Sequence, residues 1–283
     1  MTFMALLTKE LRLRLRSERT MSGLVGYVVL IGSLSWFIYY NATRSNFSPD
    51  NFGSSLYVWL TGIQFFLIFC TTPAYTTTAI NGEKQRQTFD LLVCSQLSAF
   101  SLAAGKLIAG IINALLLIAA VLPVFSLVFL FGGVSPVQFL ETLLVYIVSA
   151  LFLGSVGLFF SALLKNPVLS TTLTYLLCLL WIVLPYFLLI AWSIGAVTRS
   201  YSSDDIKIVY IWNPVAALLS IMIPGVDTVW SIPAWLSYSI VSLALSLLAF
   251  LLCVLIVKPG DQKLRRMRHK AYKGSASTSK VAV

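Results

Sequence analysis

Charge is what this sequence has least of. Of its 283 residues, 11% are charged and 58% hydrophobic, whereas a soluble domain carries about 25% charged residues. That deficit excludes a water-solvated fold for most of the chain and leaves lipid as its solvent. Histidine occurs once, as His269, and cysteine four times, as Cys70, Cys94, Cys178 and Cys253. No Cys-x-x-Cys spacing occurs and His269 has no second ligand nearby, so neither a zinc site nor a disulfide framework is indicated. The Gly-x-x-x-x-Gly-Lys-Ser/Thr phosphate loop, His-Glu-x-x-His and Gly-x-Ser-x-Gly are also missing. ATP hydrolysis by a phosphate loop, zinc proteolysis and a serine nucleophile elbow fall away with them. The chain reads as one with no catalytic residue, no metal and no cofactor of its own.

Long apolar runs are what it has in abundance. They fall at about 22–40, 56–79, 102–131, 138–163, 168–195 and 234–257. Each is long enough to cross ~30 Å of hydrocarbon at ~1.5 Å per residue. The separators carry turn chemistry, as in Asn46-Phe47-Ser48-Pro49-Asp50, Gly132-Gly133 and Lys165-Asn166-Pro167. Ser135, Pro136 and Gln138 predict an N-cap, a first-turn proline and a capping box at the entry to the fourth run. Pro73, Pro123 and Pro185 fall inside runs and predict kinks, because proline removes one backbone hydrogen bond. The expected fold is an all-α polytopic membrane protein with six transmembrane helices within 21–257.

The net charge of +10 invites a nucleic-acid reading, but the placement of the charge points to a membrane surface. Five basic residues lie in 1–20 and eight in 258–280, while Arg44, Arg199 and Lys207 alone fall on the opposite set of loops. Basic residues collect on the cytoplasmic side, so both termini are expected inside, in a plasma (inner) membrane. The partner implied is the lipid membrane, with no nucleic acid. Within 1–20, Leu7, Leu11 and Leu15 recur every four residues, which suits an amphipathic helix lying in the interface. Residues 258–283 read as a basic cytoplasmic tail. The longest outer segment, 196–233, holds Ile208–Ile223, interrupted by Pro214. That stretch is too short for an ordinary span and reads as a dipping or surface-lying helical pair.

Two places offer chemistry. Glu141 lies in the second turn of the fourth helix. It is either an interfacial carboxylate beside a positive helix N-terminus or a group facing a substrate cavity. The cytoplasmic loop 81–101 opens with Glu83-Lys84-Gln85-Arg86 and continues into Thr88-Phe89-Asp90-Leu91-Leu92. Thr88 can cap a one- or two-turn helix beginning at Phe89. Phe89, Leu91 and Leu92 would form an apolar knob rimmed by Glu83, Arg86 and Asp90, the layout of a docking contact. The same leucines can equally pack on the ends of neighbouring spans.

This loop resembles the motif of the type-2 (ABC-2 type) ABC exporter permeases. In that family an acidic residue, a Gly-Thr and a Leu-Leu pair are followed by Ser and by Gly-Lys entering the next span. Glu83, Thr88, Leu91, Leu92, Ser98, Gly105 and Lys106 match those places, with Gln87 for the family's Gly and Leu97 for its Pro. Lys9-Glu10-Leu11 with Arg16 is similar to the family's entry helix. Ser161-Ala162-Leu163-Leu164-Lys165-Asn166 with Ser170-Thr171 resembles its fourth-to-fifth helix turn, and Asn213-Pro214 its last outer segment. The resemblance implies the permease subunit of an ATP-driven exporter, paired with a second permease as homo- or heterodimer. It also implies an ABC ATPase subunit dimer that binds the ATP and docks near 83–95, with residues 3–19 as the interfacial elbow. A secondary transporter or channel would instead show buried charges or an inverted repeat. A membrane-bound enzyme, the third reading, needs a clustered polar site within the spans.

Overall fold

Residues 18–44, 49–85, 99–132, 134–195, 211–222, 228–229 and 232–257 are described by a computed structural model of the chain. The elements are α1 (Glu18–Arg44), α2 (Pro49–Thr76), the short α3 (Asn81–Gln85), α4 (Ala99–Phe131), α5 (Pro136–Leu163), α6 (Pro167–Gly195), α7 (Pro214–Met222), β1 (Thr228–Val229), β2 (Ile232–Pro233) and α8 (Ala234–Val257). Among the described residues, five helical stretches are long and apolar enough to cross a membrane. They begin at Gly53, Ala99, Pro136, Pro167 and Ala234. In α1, which holds the first expected span, the described residues include the apolar stretch Val25–Phe37. The chain is an all-α multi-pass membrane protein.

Local sequence sets the helix starts. Pro136 opens α5 behind the Ser135 cap, whose hydroxyl accepts from the Gln138 N–H at 3.2 Å. The Gln138 side chain returns the bond to the Ser135 N–H at 2.9 Å, so the capping box forms as the spacing predicts. Asn166 before Pro167 and Asn213 before Pro214 use one device. Each side-chain oxygen takes the N–H two residues on, at 3.1 Å to Val168 and 2.9 Å to Val215. Pro73, Pro123 and Pro185 all lie inside continuous helices. Carbonyls next to two of these prolines are taken up by side chains from elsewhere. Tyr175 donates to the Cys70 carbonyl, and the Asn213 amide donates to the Ile182 carbonyl at 2.6 Å.

The bundle is organised around α5, whose most apolar window is 67% buried, against 17% for α6. Lipid tails are as apolar as leucine, so helices associate through close packing and interhelical hydrogen bonds. α5 accordingly turns Ser149, Ala150, Gly154, Gly157, Ser161 and Ala162 inward. α8 meets it with Ser239, Ser242, Ser246, Ala249 and Cys253. Ser246 donates to the Leu151 carbonyl at 3.3 Å, and the Ser149 and Tyr238 hydroxyls share a bond of 2.9 Å. At the end where α5 begins, Tyr57 on α2 bonds the Thr142 hydroxyl at 2.6 Å. Gln138 there reaches the Ile221 carbonyl at the end of α7, at 3.2 Å.

The segment between α6 and α8 contains α7, a nine-residue helix packed against α5, α8 and α2. It is followed by a two-stranded antiparallel ribbon in which Val229 pairs with Ile232. Of the helical pair expected over Ile208–Ile223, α7 is the member that follows Pro214, and the ribbon lies beyond it. Two residues per strand leave no periodicity that a sequence pattern can register.

Candidate functional site

The second apolar run, expected to continue to 79, ends as a helix at Thr76. Residues 77–80 form a turn, and this turn is clamped from three sides. Ser161 on α5 accepts from the backbone N–H groups of Ile80 and Asn81, at 3.0 and 3.2 Å. From α6, Ser170 donates to the Thr77 carbonyl at 3.3 Å, and Thr171 shares a bond of 3.1 Å with the Thr77 hydroxyl. From α4, Lys106 forms an ion pair with Glu83. Lys84 crosses to α5 and donates to the Ala162 carbonyl at 2.6 Å. That carbonyl lies in the last turn of α5, where the helix supplies no N–H of its own.

The clamp is wedged as well as bonded. A Cβ added at Gly157 would overlap the Thr76 hydroxyl, and one added at Gly110 would overlap the Thr76 methyl. Thr76 therefore fills the space that two glycines on α4 and α5 leave open. Its hydroxyl is tied back to the Thr72 carbonyl at 3.1 Å, so it cannot swing away without losing that bond. Below it, Ile80, Leu102, Ala103, Leu158, Ala162, Cys253 and Val257 form one apolar cluster. The segment that carries α3 is thus fixed to α4, α5 and α6 and packs beside α8.

Sequence reasoning named Glu83 and Lys106 separately; the fold brings them into contact across 23 residues. It likewise joins the Glu83 region to the Ser161–Thr171 stretch, the other turn that carries the resemblance. Thr76, Gly110 and Gly157 went unread, since nothing in sequence pairs residues so far apart. The run Thr76-Thr77-Thr78 at the end of an apolar span, with small residues four helix positions apart, was the available signal. Arg86, Thr88, Phe89, Asp90, Leu91 and Leu92 lie outside the described residues, as do Lys9, Glu10, Leu11 and Arg16. Glu141 is half-buried, one residue before the Thr142 that holds Tyr57.

A second feature lies toward the other end. α2, α6 and α7 border an apolar cavity of about 440 Å³, lined by Val58, Phe65, Phe69, Ile182, Val183 and Leu218 among others. Among the described residues no group of His, Cys, Asp or Glu is arranged to hold a metal ion. Among the described residues the arrangement brings no His, Cys, Asp, Glu or Lys to the lining of that cavity. It offers an apolar chamber at one end and, at the other, a loop base tied to three spans.

The family described as ABC-2 family transporter protein matches residues 8–257, which takes in every described span and both turns of the clamp. The chain belongs to the ABC-2 transporter family. This ABC-2 permease is a membrane transport component, of a kind that normally works beside an ATPase subunit. No curated protein matches the chain.

Proposed function

We propose that the chain is the permease subunit of an ATP-driven ABC exporter, coupled to a separate ATPase pair through the loop at 83–95. The observation that carries this reading is the clamp. Backbone groups of Thr77, Ile80 and Asn81 are bonded to Ser170 and Ser161, the Thr77 hydroxyl is bonded to Thr171, and Glu83 is paired with Lys106. A force applied to the loop by a docked partner therefore reaches α4, α5 and α6 without slack. Arg86, Thr88, Phe89, Asp90, Leu91 and Leu92 supply the contact, with Phe89, Leu91 and Leu92 as its apolar knob. ATP is bound and hydrolysed on the partner.

In the same reading α1 is the first of six spans and residues 1–20, with Lys9, Glu10, Leu11 and Arg16, form the elbow on the inner leaflet. A second permease subunit lies against the apolar faces that the monomer leaves uncovered. These include Leu179, Val183 and Phe187 of α6, each about half exposed or more. Glu141 acts as an interfacial carboxylate. Affinity purification in mild detergent tests the assembly: an ABC ATPase should co-purify with the permease. A chain that purifies without an ATPase and moves solute under an ion gradient would instead be a secondary transporter.

Topology follows from the basic residues, only three of which lie outside in this reading. In a cysteine-free background, single cysteines at Ser48 and Ser203 should react with an impermeant thiol reagent applied to intact cells. A cysteine at Gln87 should not. Labelling of the Gln87 position from outside would reverse the orientation.

A further inference from the structure

Beside the clamp lies a buried side chain that the clamp does not use. Asn81 is 0% exposed, and neither its Oδ1 nor its Nδ2 has a hydrogen-bond partner. Its backbone N–H is engaged with Ser161, so the residue is held in place by its main chain while its carboxamide stands idle. Buried amides are almost always paired, and desolvation makes an idle one costly. A leucine of similar size would fill the same space without that cost, so packing alone does not account for an asparagine.

An acceptor in the same contact is the end of α5, where Ser161 takes the Asn81 N–H. Ala162, the residue after Ser161, is 2% exposed, and its carbonyl lies beyond reach of the helix's own N–H groups. In this structure Lys84 supplies the missing donor at 2.6 Å. Lys84 is three residues nearer the loop than Asn81, so a pull on the loop moves it first. Once Lys84 leaves, the buried carbonyl must find another donor, and Asn81 is already held by its backbone N–H to Ser161, the residue before Ala162.

We propose that Asn81 is a positioning residue whose carboxamide holds the end of α5 after Lys84 lets go, making the Asn81–Lys84 turn a two-position coupling element. The proposal rests on the reading of the 83–95 loop as the ATPase contact. In the first position, the one this structure holds, Lys84 and the Glu83–Lys106 pair secure the turn and Asn81 waits. In the second position Asn81 secures it. An amide idle in one position and paired in the other biases the exchange by about 5- to 150-fold, enough to matter to a cycle and small enough to be reversed by ATP.

The test uses the permease–ATPase complex reconstituted in lipid nanodiscs, with two readouts: the thermal midpoint of the complex and its rate of ATP turnover. Asn81→Leu removes the idle amide and with it the partner of the second position. Its midpoint should rise while ATP turnover falls roughly tenfold, with the ATPase still bound. Asn81→Ala should give the same fall in turnover, and it decides the matter if the leucine variant does not accumulate. A merely structural asparagine would give the opposite sign of stability. A lowered midpoint in both variants, or turnover at the unmodified rate in either, overturns the proposal. If no ATPase binds the unmodified permease, the loop reading itself fails, and that failure is visible before any variant is made.

Discussion

Replacing Gly157 with leucine should abolish the assembled transporter. The position faces Thr76 across the α2–α5 contact, where even a Cβ would overlap the threonine hydroxyl. Thr76 is β-branched and stiff about its first side-chain torsion, and its methyl already fills the space above Gly110. Rotation therefore exchanges one overlap for another. A single methyl forced into a packed contact costs about 1–3 kcal/mol; a leucine must drive the helices apart. Separation would break the Ser161 bonds to Ile80 and Asn81 and strip the loop of its base. Gly157→Leu is expected to lose accumulation in the membrane, and Gly157→Ala to retain reduced amounts. Adding Thr76→Ala to Gly157→Ala should restore most of the loss, since it removes the hydroxyl that the new methyl meets. The check is membrane abundance and thermal midpoint of the unmodified chain, the two single variants and the double variant as a double-mutant cycle. Equal effects of Gly157→Ala with and without Thr76→Ala would show that this contact does not set the packing.

The parts of this architecture legible in the sequence are those written locally. Ser135, Pro136 and Gln138 lie within four residues of one another, and the cap they predict depends on no distant partner. The long apolar runs identify the spans because a membrane imposes length and hydropathy on each segment separately. The clamp is of another kind. Thr76 meets glycines 34 and 81 positions away, and Lys84 meets a carbonyl 78 positions away. Such contacts follow from how the helices cross, which small residues permit without marking. Ser161 is an instance: in sequence it is one serine near the end of a span, and in the fold it accepts two backbone N–H groups. Glu83 and Lys106 were both legible as motif positions, yet their pairing was not. The ribbon strands, Thr228–Val229 and Ile232–Pro233, are too short to carry a pattern that a sequence can show.

The second large effect lies in the loop itself. If Phe89 and Leu92 fill a groove on the ATPase, truncating the buried aromatic should cost ~2 kcal/mol or more, which is roughly a 30-fold loss of affinity. Gln85 is exposed at the end of α3, and truncating a rim residue of that kind changes binding little. Phe89→Ala and Leu92→Ala should therefore abolish recovery of the ATPase in a pull-down, while Gln85→Ala retains it. All three should insert at normal abundance, because the clamp that anchors the loop involves none of them. The decisive measurement is the amount of ATPase recovered per permease for Phe89→Ala, normalised to membrane abundance. The account predicts a fall to near background; full recovery in both Phe89→Ala and Leu92→Ala would mean that these side chains pack on the bundle and that the loop is not where the ATPase engages.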